Sequence, residues 1–106
     1  MTECIQVTTT VAVQEDADKL ARLVLEKRLA ACIQITPCSS LYHWQGAIEQ
    51  DNELKLVMKS SVNLYPQLEK CILDHHPYDT PEILATPVQL CNRRYLDWLA
   101  GELKQE

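Results

Sequence analysis

Phenylalanine is absent from this 106-residue chain, and glycine occurs only twice, as Gly46 and Gly101. The lack of phenylalanine disfavours the aromatic strand platforms on which exposed bases stack. Two glycines are too few for the glycine-rich loops that hold nucleotide phosphates. Basic residues are also in deficit, with ten Lys and Arg against fifteen Asp and Glu and a net charge of −5. We therefore expect no nucleic-acid partner.

Long apolar runs and paired cysteine motifs are missing as well. No stretch reaches about 18 apolar residues, and the N-terminus lacks the basic and then apolar layout of a signal peptide. We therefore expect no membrane partner and a cytoplasmic location. Five cysteines without a C-x-x-C pair encode neither a disulfide framework nor a structural zinc site, and most should be small buried side chains. The length predicts one domain over 1–106 that oligomerisation would help to stabilise.

Alternating and helical patterns predict the order β-α-β-β-α-β followed by a terminal helix. The predicted elements are a strand over 5–11, a helix from about 15 to 28, a strand from 31 that resumes at 41–44, a strand over 54–59, a helix capped by Ser61 or Asn63 and ended by Pro77, a strand over 83–88, and a helix capped by Asn92. This order matches an α+β, ferredoxin-like sandwich with an antiparallel sheet. Pro37 should bend its strand or confine it to an edge, and Gln45 with Gly46 should form the hairpin turn.

The segment from His75 to Ile83 concentrates titratable side chains beside two prolines. Proline restricts its own φ and pushes the preceding residue out of the helical region, so a stiff corner is expected after the second helix. The apolar stripe of that helix should place His75 and His76 toward the core. Paired imidazoles suit Cu(II), Zn(II) or Ni(II); alternatively, one ring hydrogen-bonds the corner and the other is exposed.

Other candidate residues also allow two interpretations. Asp79 and Glu82 can act as an acid/base pair or as hard ligands beside the histidines. Alternatively, Asp79 forms a turn and Glu82 pairs with Lys59 or an arginine across a subunit interface. Aromatic side chains can line a ligand cleft between subunits or anchor a subunit interface. These aromatic side chains are Tyr42, Trp44, Tyr78, Tyr95 and Trp98. No recognisable spacing of nucleophile and base occurs, so we expect neither an enzyme nor an organic cofactor.

Several motifs in sequence order carry a resemblance to a known family. They are Leu29-Ala30-Ala31-Cys32, Tyr42-His43-Trp44-Gln45-Gly46, Glu53, Lys59-Ser60, His76-Pro77-Tyr78-Asp79, Pro81-Glu82-Ile83 and Asn92-x-x-Tyr95-Leu96-x-Trp98. Together they resemble the CutA divalent-ion tolerance proteins. The resemblance implies a tight homotrimer, similar in architecture to the PII signal-transduction proteins, in which the long hairpin crosses onto neighbouring subunits.

The resemblance also implies a role in tolerance to copper and other divalent ions. The copper ligands proposed for bacterial members are the paired histidines, here His75 and His76, and a cysteine whose position Thr9 occupies. A threonine hydroxyl replaces a soft thiolate poorly. The first hypothesis, which follows the resemblance, is a cytoplasmic homotrimer for divalent-ion tolerance that binds copper at the corner of His75 and His76. The alternative is a PII-like signalling trimer with a small ligand in its inter-subunit clefts, read by an unknown protein partner.

Overall fold

The computed structural model describes residues 3–105, in which the helices and strands follow the predicted order. The elements are β1 (Cys4–Val11), α1 (Gln14–Glu26), β2 (Cys32–Trp44), β3 (Ala47–Ser61), α2 (Tyr65–His75), β4 (Leu84–Pro87) and α3 (Arg93–Glu102). The strands form one antiparallel sheet in the order β2-β3-β1-β4. The ferredoxin-like α+β arrangement with a C-terminal helix is thereby confirmed.

One apolar core lies between the sheet and helices α1 and α2. Val7 of β1 pairs with Met58 of β3, and both side chains are fully buried because paired residues point to the same face. Buried side chains from the helices complete the core; they include Ala17, Leu20, Val24, Leu68 and Ile72. Leu25, which the helical spacing also favours, is exposed, since it lies about 80° around the helix from Ala17.

The hairpin of β2 and β3 projects beyond the rest of the sheet, and its returning strand, which was predicted over 54–59, begins at Ala47. The two strands pair without interruption from Cys32 with Lys59 to Trp44 with Ala47, whereas β1 pairs with β3 only as far as Leu54. Gln45 and Gly46 both have positive φ, of 49° and 81°, as a two-residue hairpin turn requires. The turn prediction is confirmed, and the projecting hairpin accounts for a molecule 45 Å long and only 26 Å wide.

The proline and asparagine predictions are also tested by the structure. Pro37 lies within β2, which is an edge strand as expected. Asn92 caps α3, where its side-chain oxygen accepts a 2.9 Å hydrogen bond from the backbone N–H of Tyr95. The cap predicted for α2 is wrong, because Ser61 belongs to β3 and neither Ser61 nor Asn63 forms a side-chain cap. A 3₁₀ turn (Val62–Leu64) leads into that helix instead.

The burial of the cysteines in residues 3–105 differs from the prediction. Only Cys4 and Cys71 are buried, so the prediction that most cysteines are core residues is wrong. Cys32, for example, pairs with Lys59 on the sheet face away from the helices.

At the end of α1, Arg28 adopts a left-handed φ of 56°, and its carbonyl accepts a 2.8 Å hydrogen bond from the backbone of Lys104. No helix within this range is long and apolar enough to cross a membrane.

Candidate functional site

The corner after α2 is built around the ring of His76. Pro77 follows the helix, and His76 is extended, with φ −78° and ψ 137°, as the residue before a proline should be. Its Nε2 lies 2.9 Å from the carbonyl oxygen of Thr10, and its Nδ1 lies 3.0 Å from the backbone nitrogen of Tyr78. A carbonyl can only accept, so Nε2 carries the proton and Nδ1 accepts from Tyr78. Both ring nitrogens therefore hold the corner against β1.

Burial lowers the pKa of His76 below its ordinary value. The hydrogen bond to Thr10 and the carboxylates of Asp16 and Glu53 act in the opposite direction but are weaker. The ring also packs against the ring of Tyr78, with 4.9 Å between centroids. The neutral imidazole is thus the form that this corner favours.

Two tyrosines link the corner and the hairpin to carboxylates of β3. The hydroxyl of Tyr78 donates to Glu53 over 2.8 Å, and the hydroxyl of Tyr42 donates to Asp51. Burial and the hydrogen bond to Glu53 raise the pKa of Tyr78. The hydrogen bond to Asp51 is the main cause that raises the pKa of Tyr42 to about 12. Both phenols therefore stay protonated and act as donors at neutral pH.

An open cleft of about 1120 Å³ lies between the projecting hairpin and the corner. Four carboxylate side chains line this acidic cleft; they are Asp51, Glu53, Asp79 and Glu82. Aromatic and polar side chains complete the lining, among them Tyr42, Trp44, Tyr78, His43 and Ser39. Within residues 3–105 no Lys or Arg contributes to it. The cleft is therefore suited electrostatically to a cation rather than to an anion.

The structure brings together most of the residues predicted for a ligand cleft or subunit interface. Tyr42, Trp44, Tyr78, Asp79 and Glu82 all line the acidic cleft. The three remaining candidates, Lys59 and the α3 residues Tyr95 and Trp98, lie outside its lining. The ammonium group of Lys59 donates to Gln34 over 2.9 Å and lies 6.0 Å from the ring centroid of Tyr95. Trp98 packs against Tyr95 as well, with 5.5 Å between ring centroids. No ion pair of Lys59 with Glu82 forms within the described residues, and a pair across a subunit interface stays a prediction.

His75 and His76 are adjacent in sequence but have different surroundings. Nδ1 of His75 donates to the carbonyl of Cys71 over 2.9 Å, and the side chain is exposed, so the prediction that it faces the core is wrong for this residue. His75 is still helical, whereas His76 is extended, and the two rings diverge for that reason. Among residues 3–105, no three His, Cys, Asp or Glu side chains are grouped so that they could hold a metal ion.

Thr9 occupies the position at which the family resemblance implies a cysteine. Its side chain is fully buried on the core face of β1, as the alternation predicts, and its hydroxyl has no hydrogen-bond partner within the described residues. The next residue, Thr10, provides the carbonyl that anchors His76. Position 9 therefore supplies no soft thiolate to a metal ion at this corner.

Sequence reasoning did not assign site roles to Asp51, Glu53 or the carbonyl of Thr10. A weak signal for the first two exists in the hairpin register, since counting back from the turn places Glu53 opposite Cys38 and Asp51 opposite Ser40. No sequence pattern indicates that Tyr78 reaches Glu53, because the two residues are 25 positions apart and meet only in the folded chain.

Comparisons with known proteins agree with this architecture. The family model of the CutA1 divalent ion tolerance protein matches residues 5–102. The chain belongs to the CutA1 divalent ion tolerance family. A divalent-cation tolerance protein CutA from Thermus thermophilus is 44% identical over 91 residues, which cover 85% of this chain and 88% of the relative. The resemblance found in the sequence motifs is confirmed.

Solved structures of CutA1 proteins show the same fold. CutA1 from Oryza sativa superposes with a TM-score of 0.96 at 33% identity, covering 99% of this chain and 97% of that one. CutA1 from Pyrococcus horikoshii gives a TM-score of 0.92 at 36% identity, covering 95% of this chain and 99% of that one. The long hairpin and the terminal helix are therefore features that this chain has in common with CutA1 structures.

Proposed function

We propose that this chain acts in divalent-cation tolerance as a cytoplasmic homotrimer, and that it binds copper at the His75–His76 corner from the side of the acidic cleft. The observation that carries the copper site is the composition of that cleft. Four carboxylates line it without a Lys or Arg from residues 3–105, and Tyr78, which packs on the ring of His76, is part of its wall. Imidazole and carboxylate together suit Cu(II), which binds such donors more tightly than other divalent first-row metals.

His76 is the imidazole that this proposal favours. A cation approaching from the cleft is attracted by the carboxylates, whereas His75 lies among lysine side chains that repel it. Binding through Nε2 of His76 requires that ring to leave the carbonyl of Thr10. The lost hydrogen bond lowers the affinity below that of a site with a free ring. We therefore expect a moderate copper affinity unless donors from another subunit complete the site.

Two features of the chain support the homotrimer. The projecting hairpin carries exposed apolar side chains, with Leu41 66% and Ile48 70% exposed and Trp44 53% exposed. Strands β2 and β4 are the two edges of the sheet and have unpaired backbone groups. An apolar projection and open strand edges both favour contact with another copy of the chain.

A calorimetric copper titration of matched histidine variants tests the site. We expect His76→Gln to weaken Cu(II) binding at least tenfold and His75→Gln to weaken it less, with Zn(II) weaker than Cu(II) throughout. Asp79→Asn, which removes one cleft charge without removing an imidazole, should weaken binding by a smaller factor. Circular dichroism of each variant controls for folding. Wild-type affinity in both folded histidine variants would contradict the proposed site.

The signalling alternative stays a prediction. The charge of the acidic cleft restricts the class of ligand that it could bind. A nucleotide needs basic groups, and the described lining of the acidic cleft has none. A small organic cation fits the carboxylates and the aromatic rings of Tyr42 and Trp44 better. Two further expectations stay predictions. One is that the chain catalyses no reaction, and the other is that a protein partner reads the trimer.

A further inference from the structure

A second concave surface lies on the other side of the corner and has the opposite charge. This basic groove, of about 450 Å³, is lined by Lys27, Leu29, Gln67, Lys70, Cys71, Asp74, His75 and Lys104. Three of the six lysines in the chain therefore meet in one groove, although the chain as a whole carries a net charge of −5. A local excess of cations in an acidic protein attracts anions to that place.

Not all of these cations are neutralised within the groove. The ammonium group of Lys70 pairs with Asp74 over 2.7 Å. The ammonium group of Lys104 donates to the neutral amide of Gln67 over 2.9 Å and has no carboxylate partner within residues 3–105. The side chain of Lys27 makes neither an ion pair nor a hydrogen bond in this part of the chain. Two ammonium groups are therefore available to an external anion.

Separate segments deliver these two cations. Lys27 follows directly after α1, where a cation also complements the helix C-terminus. Lys104 lies beyond α3 and is held beside α1 by a 2.8 Å hydrogen bond from its backbone to the carbonyl of Arg28. The favourable interaction with the C-terminus of α1 explains a lysine at position 27, but it does not explain the second lysine, Lys104. The groove therefore receives a lysine from each of two separate segments, the end of α1 and the chain after α3.

The floor of the groove between the charged groups is apolar. Leu29 and Cys71 line the groove and are only 4% and 7% exposed. Burial raises the pKa of the Cys71 thiol, so the thiol remains neutral and adds no negative charge. A ligand with a charged end and a small apolar part matches this combination of surfaces.

We propose that the basic groove binds a small organic phosphate, with the phosphate between the ammonium groups of Lys27 and Lys104 and the apolar part against Leu29 and Cys71. A phosphate monoester carries close to two negative charges at neutral pH, which matches two ammonium groups. The site is separate from the acidic cleft, and its existence does not depend on copper binding there.

Isothermal titration calorimetry with phenyl phosphate, inorganic phosphate and benzoate tests the proposal. Phenyl phosphate should bind most tightly, because benzoate has the same ring with one charge and inorganic phosphate lacks the ring. Lys27→Gln and Lys104→Gln should each weaken phenyl phosphate binding about tenfold, since each removes one charge-assisted hydrogen bond. Lys19→Gln, an equal change of charge at an exposed residue of α1 outside the groove lining, should leave the affinity unchanged.

Three results would overturn the proposal. The first is no heat of binding with phenyl phosphate at millimolar concentration in low salt. The second is an equal loss of affinity in Lys19→Gln, which would indicate attraction by overall charge. The third is equal affinity for phenyl phosphate and inorganic phosphate, which would remove the role of the apolar lining. A phenyl phosphate titration of His76→Gln distinguishes the two sites, because His76 does not line the basic groove and this variant should keep the wild-type affinity for phenyl phosphate.

Discussion

Replacing Thr9 by valine is expected to stabilise the protein. The hydroxyl of Thr9 is fully buried on the core face of β1 and has no hydrogen-bond partner within residues 3–105. Valine has nearly the same shape, so the exchange leaves the packing against Leu56 and its neighbours in place. The substitution therefore removes the cost of burying an unpaired hydroxyl without creating a cavity.

The size of the effect follows from that cost. Burying an unsatisfied hydroxyl costs about 1 to 3 kcal/mol, and we expect a gain of about 1 kcal/mol in the free energy of unfolding. For a chain of this size the gain corresponds to a rise in Tm of about 4 °C. Urea unfolding measured at one fixed protein concentration is the assay, because the stability of an oligomer depends on concentration.

Thr8→Val is the matched control, since it makes the same exchange one residue earlier, on the opposite face of β1. This control should change the free energy of unfolding by less than about 0.5 kcal/mol. A Thr9→Val protein that is less stable than wild type by about 1 kcal/mol would refute the reasoning. Such a result would mean that the hydroxyl has a hydrogen-bond partner in the folded protein.

Three further predictions concern assembly, pH and backbone strain. Trp44→Ala should raise the dissociation constant of the proposed trimer about thirtyfold, because Trp44 is expected to anchor the interface. An unchanged trimer mass on dilution would contradict this. Burial lowers the pKa of His76, so the unfolded state binds more protons than the folded state just below pH 6.5. The free energy of unfolding measured in urea should therefore fall as the pH is lowered through this range. An identical pH slope in His76→Gln would count against this prediction. Arg28→Gly should be about 1 kcal/mol more stable than Arg28→Ala, because only glycine tolerates the φ of 56° without strain; equal urea midpoints would argue against strain at Arg28.

The elements of the fold could be predicted because their residues repeat with clear periods. Val7 and Val11 alternate in β1, and Ala17, Leu20, Ala21 and Val24 recur with the spacing of a helix. The start of β3 was predicted at Leu54 rather than at Ala47, since the segment from Glu49 to Glu53 is polar and gives no alternating apolar signal. It forms a strand because the turn at Gly46 aligns it with β2.

The sequence indicated part of the candidate site, the corner and its aromatic side chains, but not the contacts or the carboxylates of β3. Pro77 indicates that His76 is extended, and this alone implies that its ring diverges from that of the helical His75. The pairing of Tyr78 with Glu53 depends on how the corner packs on the hairpin, and short-range sequence patterns do not contain that information. The basic groove has the same origin, since Lys27 and Lys104 meet only when the C-terminal segment packs beside α1.

The central claim is that this CutA1 family member is a homotrimer that binds copper at the His75–His76 corner. Native mass spectrometry of the untagged protein with sub-stoichiometric Cu(II) measures assembly and metal content in one experiment. We predict a trimer that takes up copper, and a trimer of the same mass without copper when both histidines are replaced by glutamine. A monomer, or a trimer whose copper content is unaffected by the double replacement, would contradict the account.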